Sequence, residues 1–233
     1  MDVYRTLKAG DTLDFIELKE VEFNYQKGKN VFKGLNLIFQ KEETTAIVGP
    51  NGSGKTTLGK LMAGILKPDK GQVFIQKKST FDLSLPEIGR KIGYLFQNPE
   101  KQFFANTVYD ELSFILKLKS CEEKCIEEMV EKQLKLFQLK GLEDSSPFIL
   151  SQGEKQRLAI AAVLINQPEY LILDEPTTGL DKRRKDTLLN ILLKLKERGI
   201  GMTIISHDYE FVKSIANRLI AINRGEIEYD KRL

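Results

Sequence analysis

The chain has 233 residues, with 36 basic and 33 acidic side chains giving a formal charge of +3. That near balance argues against an extended nucleic-acid footprint, and the length suffices for one compact domain that buries roughly 70–75% of its unfolded surface without a disulfide or metal staple. The purest apolar run, Leu158 to Ile165, is far shorter than the roughly 20 residues that cross a bilayer, so a link to a membrane has to run through a partner.

From Met1 to Phe15 there is neither an apolar core nor a cleavage site, which predicts no export signal. Short strands are expected first: Phe15–Lys19, Val21–Tyr25 and Leu35–Phe39, each alternating, with Gly and Asn turns between them. Thr45–Val48 is a continuous apolar run of the kind buried on both faces of a sheet. Leu58, Leu61, Met62 and Ile65 then recur at helical spacing, and Lys67-Pro68-Asp69-Lys70-Gly71 stops that helix. Three further apolar runs follow, at Ile92–Phe96, Tyr170–Leu173 and Met202–Ile205. Between the first two lies a charged, helix-like stretch from about Thr107 to Ile165, broken at Lys140-Gly141-Leu142 and Ser145-Ser146-Pro147. Cys121 and Cys125, four apart, are expected on one face of a helix; that spacing is neither a zinc pair nor a redox motif, and the two read as free thiols of a reduced, cytosolic protein. Lys182-Arg183-Arg184-Lys185, the densest basic run, reads as the solvated start of a helix. Leu219–Ile222, Asn223-Arg224-Gly225 and Glu226–Tyr229 read as a hairpin. The pattern predicts one α/β domain with a mainly parallel sheet, an antiparallel β part at the N-terminal side, and a helical insertion at about 97–166 that interrupts a core at about 14–96 and 167–233.

Gly49-Pro50-Asn51-Gly52-Ser53-Gly54-Lys55-Thr56-Thr57 has the full P-loop spacing, after a buried strand and before an amphipathic helix. Its glycines let several backbone N–H groups face one point at the positive end of a helix, which is an anion site. In that setting Lys55 is expected on the β- and γ-phosphates and Thr56 on Mg²⁺. Tyr170–Glu175, an apolar strand ending in two carboxylates, suits a Walker B segment: Asp174 on Mg²⁺ through water, Glu175 toward the attacking water. The single histidine, His207, follows another apolar strand. Gly49, Gln97, Asp174 and His207 thus each stand just past the carboxyl end of a strand, where ligands sit in open α/β sheets.

Leu150-Ser151-Gln152-Gly153-Glu154-Lys155-Gln156-Arg157, ahead of Asp174 and at a helix start, resembles the signature motif of ABC ATPases. The resemblance extends from about Phe15 to Glu228. It implies that Tyr25 is the aromatic residue stacking on adenine, Gln97 the Q-loop glutamine touching Mg²⁺ and sensing the γ-phosphate, Asp181 within Gly179-Leu180-Asp181 the D-loop aspartate, and His207 the switch histidine. It further implies that Ser151, Gln152, Gly153 and Glu154 act on an ATP held by a second ATPase subunit, the same chain or a related one, so that hydrolysis opens a dimer that ATP closes. The commonest signature reads Leu-Ser-Gly-Gly-Gln; Gln152 and Glu154 depart from it, and Glu154 brings an additional negative charge.

The segment from Phe96 to Glu111, with Asn98-Pro99, Gln102, Phe103-Phe104 and Thr107-Val108, resembles ATPase subunits of energy-coupling-factor importers and their cobalt/nickel relatives. That likeness implies a transmembrane coupling subunit, a membrane substrate-binding subunit, and a peripheral place on the cytoplasmic face of the cell membrane. In such proteins Phe103 and Phe104 are expected either to anchor a coupling helix or to pack inside the insertion. Such ATPases usually carry an extension after the hairpin that helps hold the dimer; here the sequence reaches Leu233. The alternatives are a soluble ABC ATPase of translation or DNA repair, the ATPase of another transporter class, and a binding subunit without catalysis.

Overall fold

The computed structural model describes residues 14–25 and 30–233. Most of the N-terminal stretch read for an export signal, and residues 26–29, where a turn is expected, lie outside them. Two long strands come first, β1 (Asp14–Asn24) and β2 (Asn30–Gln40), paired antiparallel. The two short strands expected at Phe15–Lys19 and Val21–Tyr25 are this one strand, kinked by a bulge. Its register shifts between Leu18 and Val21, and Glu20 adopts φ 48°. Asn36 holds the bulge by accepting the Glu20 N–H at 3.0 Å and returning its amide to the Glu20 carboxylate. Facing it, a Cβ on Gly71 would stand 2.2 Å from the Glu20 carbonyl oxygen, so only glycine fits there. β4 (Lys70–Ile75) and the short β5 (Lys78–Ser79) complete this sheet in the order β2-β1-β4-β5.

The second sheet is built from β3 (Thr44–Val48), β6 (Ile92–Leu95), β7 (Tyr170–Asp174), β8 (Gly201–Ile205), β9 (Arg218–Asn223) and β10 (Glu226–Arg232), in the order β10-β9-β3-β8-β7-β6. All neighbours are parallel except the β9–β10 hairpin. Side chains two apart share a face. Ile172, Ile205, Ile220 and Ile222 join a core with α1 (Lys55–Met62) and the antiparallel sheet. Leu171, Leu173, Met202, Ile204 and Leu219 join a second core with α5 (Gln152–Leu164) and α6 (Lys182–Glu197). Burial on both faces explains why β7, β8 and the middle of β9 are almost wholly apolar.

Between β6 and β7 run α3 (Val108–Leu118), α4 (Glu123–Leu136) and α5, packed in the second core through Leu112, Ile126, Val130 and Phe137. The remaining helices are α2 (Leu85–Lys91) and α7 (Tyr209–Lys213). Two sequence expectations change here. α1 ends at Met62 rather than at the Lys67–Gly71 stop, because Gly64 turns left-handed and the N–H groups of Ile65 and Leu66 both fold back on the Lys60 carbonyl. Cys121 precedes α4 while Cys125 lies on it, so the two free thiols do not share a helix face. No described helix is long and apolar enough to cross a membrane.

Tyr170 is fully buried, stacked on Phe15 at 5.3 Å, with its hydroxyl 2.8 Å from Thr203 Oγ1. Tyr170→Phe strands the Thr203 hydroxyl, and urea denaturation is expected to show a loss of about 1–3 kcal/mol.

Candidate active site

The strand ends and one loop bound a cavity of about 740 Å³ lined by Asn51, Gly52, Gly54, Lys55, Thr56, Thr57, Tyr25, Val31, Gln97 and Glu175, within the size range of small-molecule sites. The loop between β3 and α1 is tightly seated. A Cβ on Gly49, at φ 145°, would meet the Ile222 carbonyl oxygen at 2.0 Å, and Gly54 at φ 109° opens α1 beside the Phe32 ring. Ser53 is buried outside the lining, and its hydroxyl has no partner among the described residues. Lys55 is buried with its ammonium folded onto the carbonyls of Gly49 (2.8 Å) and Pro50 (3.0 Å). Burial lowers its pKa, and the nearby Glu175 and Asp174 carboxylates oppose that shift. Tyr25 stands at the rim, its ring edge-on to Phe23 and its hydroxyl 3.0 Å from Thr57 Oγ1.

β7 delivers the two acids with opposite surroundings. Asp174 is 1% exposed; Thr56 Oγ1 lies 3.2 Å from its Oδ1 and the Tyr94 hydroxyl 3.3 Å from its Oδ2. Burial raises the Asp174 pKa, the hydroxyls of Thr56 and Tyr94 pull it back, and Glu175 adds to the rise. Glu175 takes φ 52°, an uncommon left-handed backbone for a non-glycine, with its N–H on the Ile205 carbonyl at 2.8 Å. That turn aims the carboxylate at the end of β8. There the His207 Nδ1 lies 2.8 Å from Glu175 Oε2, and the His207 backbone N–H donates to the same oxygen at 3.4 Å. The imidazole carrying its proton on Nδ1 donates to the acid and leaves Nε2 outward.

Gln97 follows β6 and is exposed on the cavity side. Behind it, Gln102 is a crossbar: its Oε1 accepts the Phe96 N–H at 3.3 Å, and its amide donates to the Ala159 carbonyl of α5 at 3.2 Å. Glu100 pairs with Lys155, also of α5. Phe103 and Phe104 part company. Phe103 is buried in the helical core, whereas Phe104 is 58% exposed against Phe114, with Phe148 and Ile149 also exposed.

The P-loop, Gln97, Asp174, Glu175 and His207 therefore converge, and Ser151, Gln152, Gly153 and Glu154 do not: none of the four lines the cavity. Ser151 is the N-cap of α5 in a capping box. Its N–H and hydroxyl both donate to Glu154 Oε2, at 2.8 and 2.7 Å, so the additional carboxylate is turned onto the serine. Gln152 packs toward Gly179, and Arg184 lies over Gly153. Asp181 caps α6 through the Arg184 N–H at 2.9 Å.

The family model described as ABC transporter matches residues 32–178. The chain belongs to the ABC transporter family. An ABC relative, the energy-coupling factor transporter ATP-binding protein EcfA of Methanothermobacter thermautotrophicus, is 40% identical over 215 residues, 91% of this chain and 69% of that one. The ABC protein cbiO1 from Clostridium perfringens, part of the transporter complex cbiONQ, has the same fold at a TM-score of 0.83 and 33% identity, over 94% of this chain and 89% of its own. The dimeric ATP-binding cassette MJ0796, in a post-hydrolysis state with ADP and Pi, gives 0.86 at 29% identity over 94% and 98%. The α/β fold expected from the sequence is thus that of ABC ATPases, and the chain is an ATP-binding, ATP-hydrolysing ABC transporter subunit.

Sequence reasoning missed two residues of this ABC site, Val31 on the cavity wall and Tyr94 behind Asp174. Tyr94 left one signal, as the single polar-tipped side chain in the run Ile92–Phe96. The Ser151–Glu154 cap also carries a pH prediction. The Ser151 hydroxyl, then its N–H, hold the Glu154 pKa below the usual carboxylate range. The cap therefore stabilises fully above the unfolded-state pKa of about 4.5 and is lost as pH falls through the lowered folded-state value. Urea melts of wild type and Glu154→Gln should differ at pH 7, and the gap should shrink as pH falls below about 4.5.

Proposed function

We propose that this chain is the ATP-hydrolysing motor of an energy-coupling-factor type importer, working as one half of an ATPase pair on the cytoplasmic face of the membrane. The observation that carries the catalytic part of this reading is the Glu175–His207 pair beside the cavity that holds Lys55 and Thr56. Tyr25 stacks on adenine. The backbone from Asn51 to Thr57 cradles the phosphates, with Ser53 and Gly54 at the turn into α1. Lys55 leaves its two carbonyls for the β- and γ-phosphates.

The donor set fits Mg²⁺. Thr56 Oγ1 and Asp174 Oδ1 are hard oxygens that meet at 3.2 Å, and no cluster of three or more His, Cys, Asp or Glu among the described residues forms a cage of its own. Mg²⁺ typically binds by one or two protein oxygens with phosphate and water completing its octahedron. Thr56 and Gln97 would hold it directly, and Asp174 through water. Bound there, it neutralises charge developing on the β- and γ-phosphate oxygens.

Glu175 orients a water in line with the γ-phosphorus through the carboxylate oxygen that His207 does not use. As the water oxygen bonds to phosphorus, the bond to the β–γ bridging oxygen breaks, ADP leaves with that oxygen, and the water proton passes to Glu175. His207 keeps the carboxylate turned toward the cavity. Ser151, Gln152, Gly153 and Glu154 lie away from the cavity, which supports their acting on ATP held by a second cassette, with Asp181 at the same face. The dimeric cassette with ADP and Pi supports this arrangement. Closure on two ATPs and opening after hydrolysis then make a two-state element driven by differential contacts.

The likeness to EcfA and cbiO1 supports the importer class. Phe104, Phe114, Phe148 and Ile149 supply an exposed apolar surface suited to a helix of a transmembrane subunit. Purification of the tagged chain from gently solubilised native membranes tests the assignment. A coupling subunit with a small membrane substrate-binding protein is the expected result. Recovery of ribosomal or DNA-repair proteins alone would reject the transport assignment and leave the ATPase in place.

A further inference from the structure

We propose that Tyr94 is a positioning residue for the Mg²⁺–nucleotide site, fixing the rotation of the Asp174 carboxylate from behind. This rests on the reading that Asp174 serves the metal shell. Asp174 is buried, and its two oxygens are divided between two hydroxyls: Oδ1 beside Thr56 at 3.2 Å on the nucleotide side, and Oδ2 accepting from Tyr94 at 3.3 Å on the sheet side. The terminal torsion of an aspartate is broad and roughly two-fold, so the carboxylate needs an outside partner to settle in one orientation. Tyr94 supplies it from a rigid place. The residue sits in β6 in register with Ile172 of β7, its ring lies 4.9 Å from Phe96 at 67°, and its Cε2 lies 3.4 Å from where a Cβ on Gly59 of α1 would stand. The side chain is thus held by the strand that runs into Gln97, by the strand that ends in Asp174, and by the helix that begins at Lys55. Partners that orient a metal-site ligand in this way typically matter by 10–100-fold in metal affinity.

The test uses the full chain and a fluorescent, non-hydrolysable ATP analogue, titrated in EDTA and across a Mg²⁺ series, with Mn²⁺ binding followed by electron paramagnetic resonance. Tyr94→Phe keeps the ring and removes the donor. The expected result is an analogue affinity in EDTA within about twofold of wild type and a half-saturating Mg²⁺ concentration raised about tenfold, with the Mn²⁺ signal weakened alike. Tyr94→Met, which also lacks the donor, should give the same split, and nucleotide-free melting curves check that both variants fold. Equal weakening with and without metal, or no change in the metal requirement, would overturn the proposal. Asp174→Asn separates the two levels. If it raises the Mg²⁺ requirement while Tyr94→Phe does not, only the role of Tyr94 fails. If Asp174→Asn leaves the requirement unchanged, the reading of Asp174 fails and takes this proposal with it.

Discussion

Glu175→Gln is expected to slow ATP turnover by about 10²–10⁴-fold while leaving ATP bound. The amide keeps the size of the side chain and the left-handed turn at φ 52°, so the cavity is not reshaped. Its oxygen still accepts from His207 Nδ1, now 2.8 Å from Glu175 Oε2. What disappears is the carboxylate proposed to take the water proton. Because ATP binding precedes that step, the variant should accumulate as an ATP-bound dimer, visible by sedimentation with Mg²⁺–ATP and absent with ADP. Turnover equal to wild type would remove Glu175 from the chemistry, whatever the dimer does.

Lys55→Ala strikes earlier. The ammonium is buried and already desolvated against two carbonyls, so its transfer to a triphosphate exchanges neutral acceptors for charged ones without a further loss of water. Truncating one partner of such a buried charged contact costs about 2–5 kcal/mol, or about 30- to 5,000-fold in affinity. Isothermal titration with ATP should show that loss. Adenosine, which carries no phosphate, should bind both proteins alike. A loss shared by adenosine would point instead to collapse of the loop once the Gly49 and Pro50 carbonyls lose their donor.

The short, doubly buried strands were legible because their apolar runs are interrupted only at functional ends: β7 stops at Asp174 and β8 just before His207. The loop before Lys55 was legible from spacing, because a Cβ on Gly49 or Gly54 would strike a neighbour and Gly52 takes a left-handed turn. Three features were not. The kink in β1 is set across the sheet by Asn36 and Gly71, which no local pattern near Glu20 announces. The split between Phe103 and Phe104 follows from Glu111, whose buried carboxylate accepts the N–H groups of Phe104 and Ala105 and fixes which ring turns inward. The orientation of Glu154 onto Ser151 is a helix-capping preference, readable in principle from Ser-x-x-Glu but masked by the motif's other meaning.

Gln102 and the Glu100–Lys155 pair also decide how force travels. A partner pressing on Phe104 would load a loop held on one side by Glu111, through the Phe104 N–H, and on the other by the Gln102 crossbar, two residues back, which is fastened to the root of Gln97 and to the middle of α5. A push from outside would therefore reach the segment leading to Gln97 and the helix that begins at Ser151 through the same side chain.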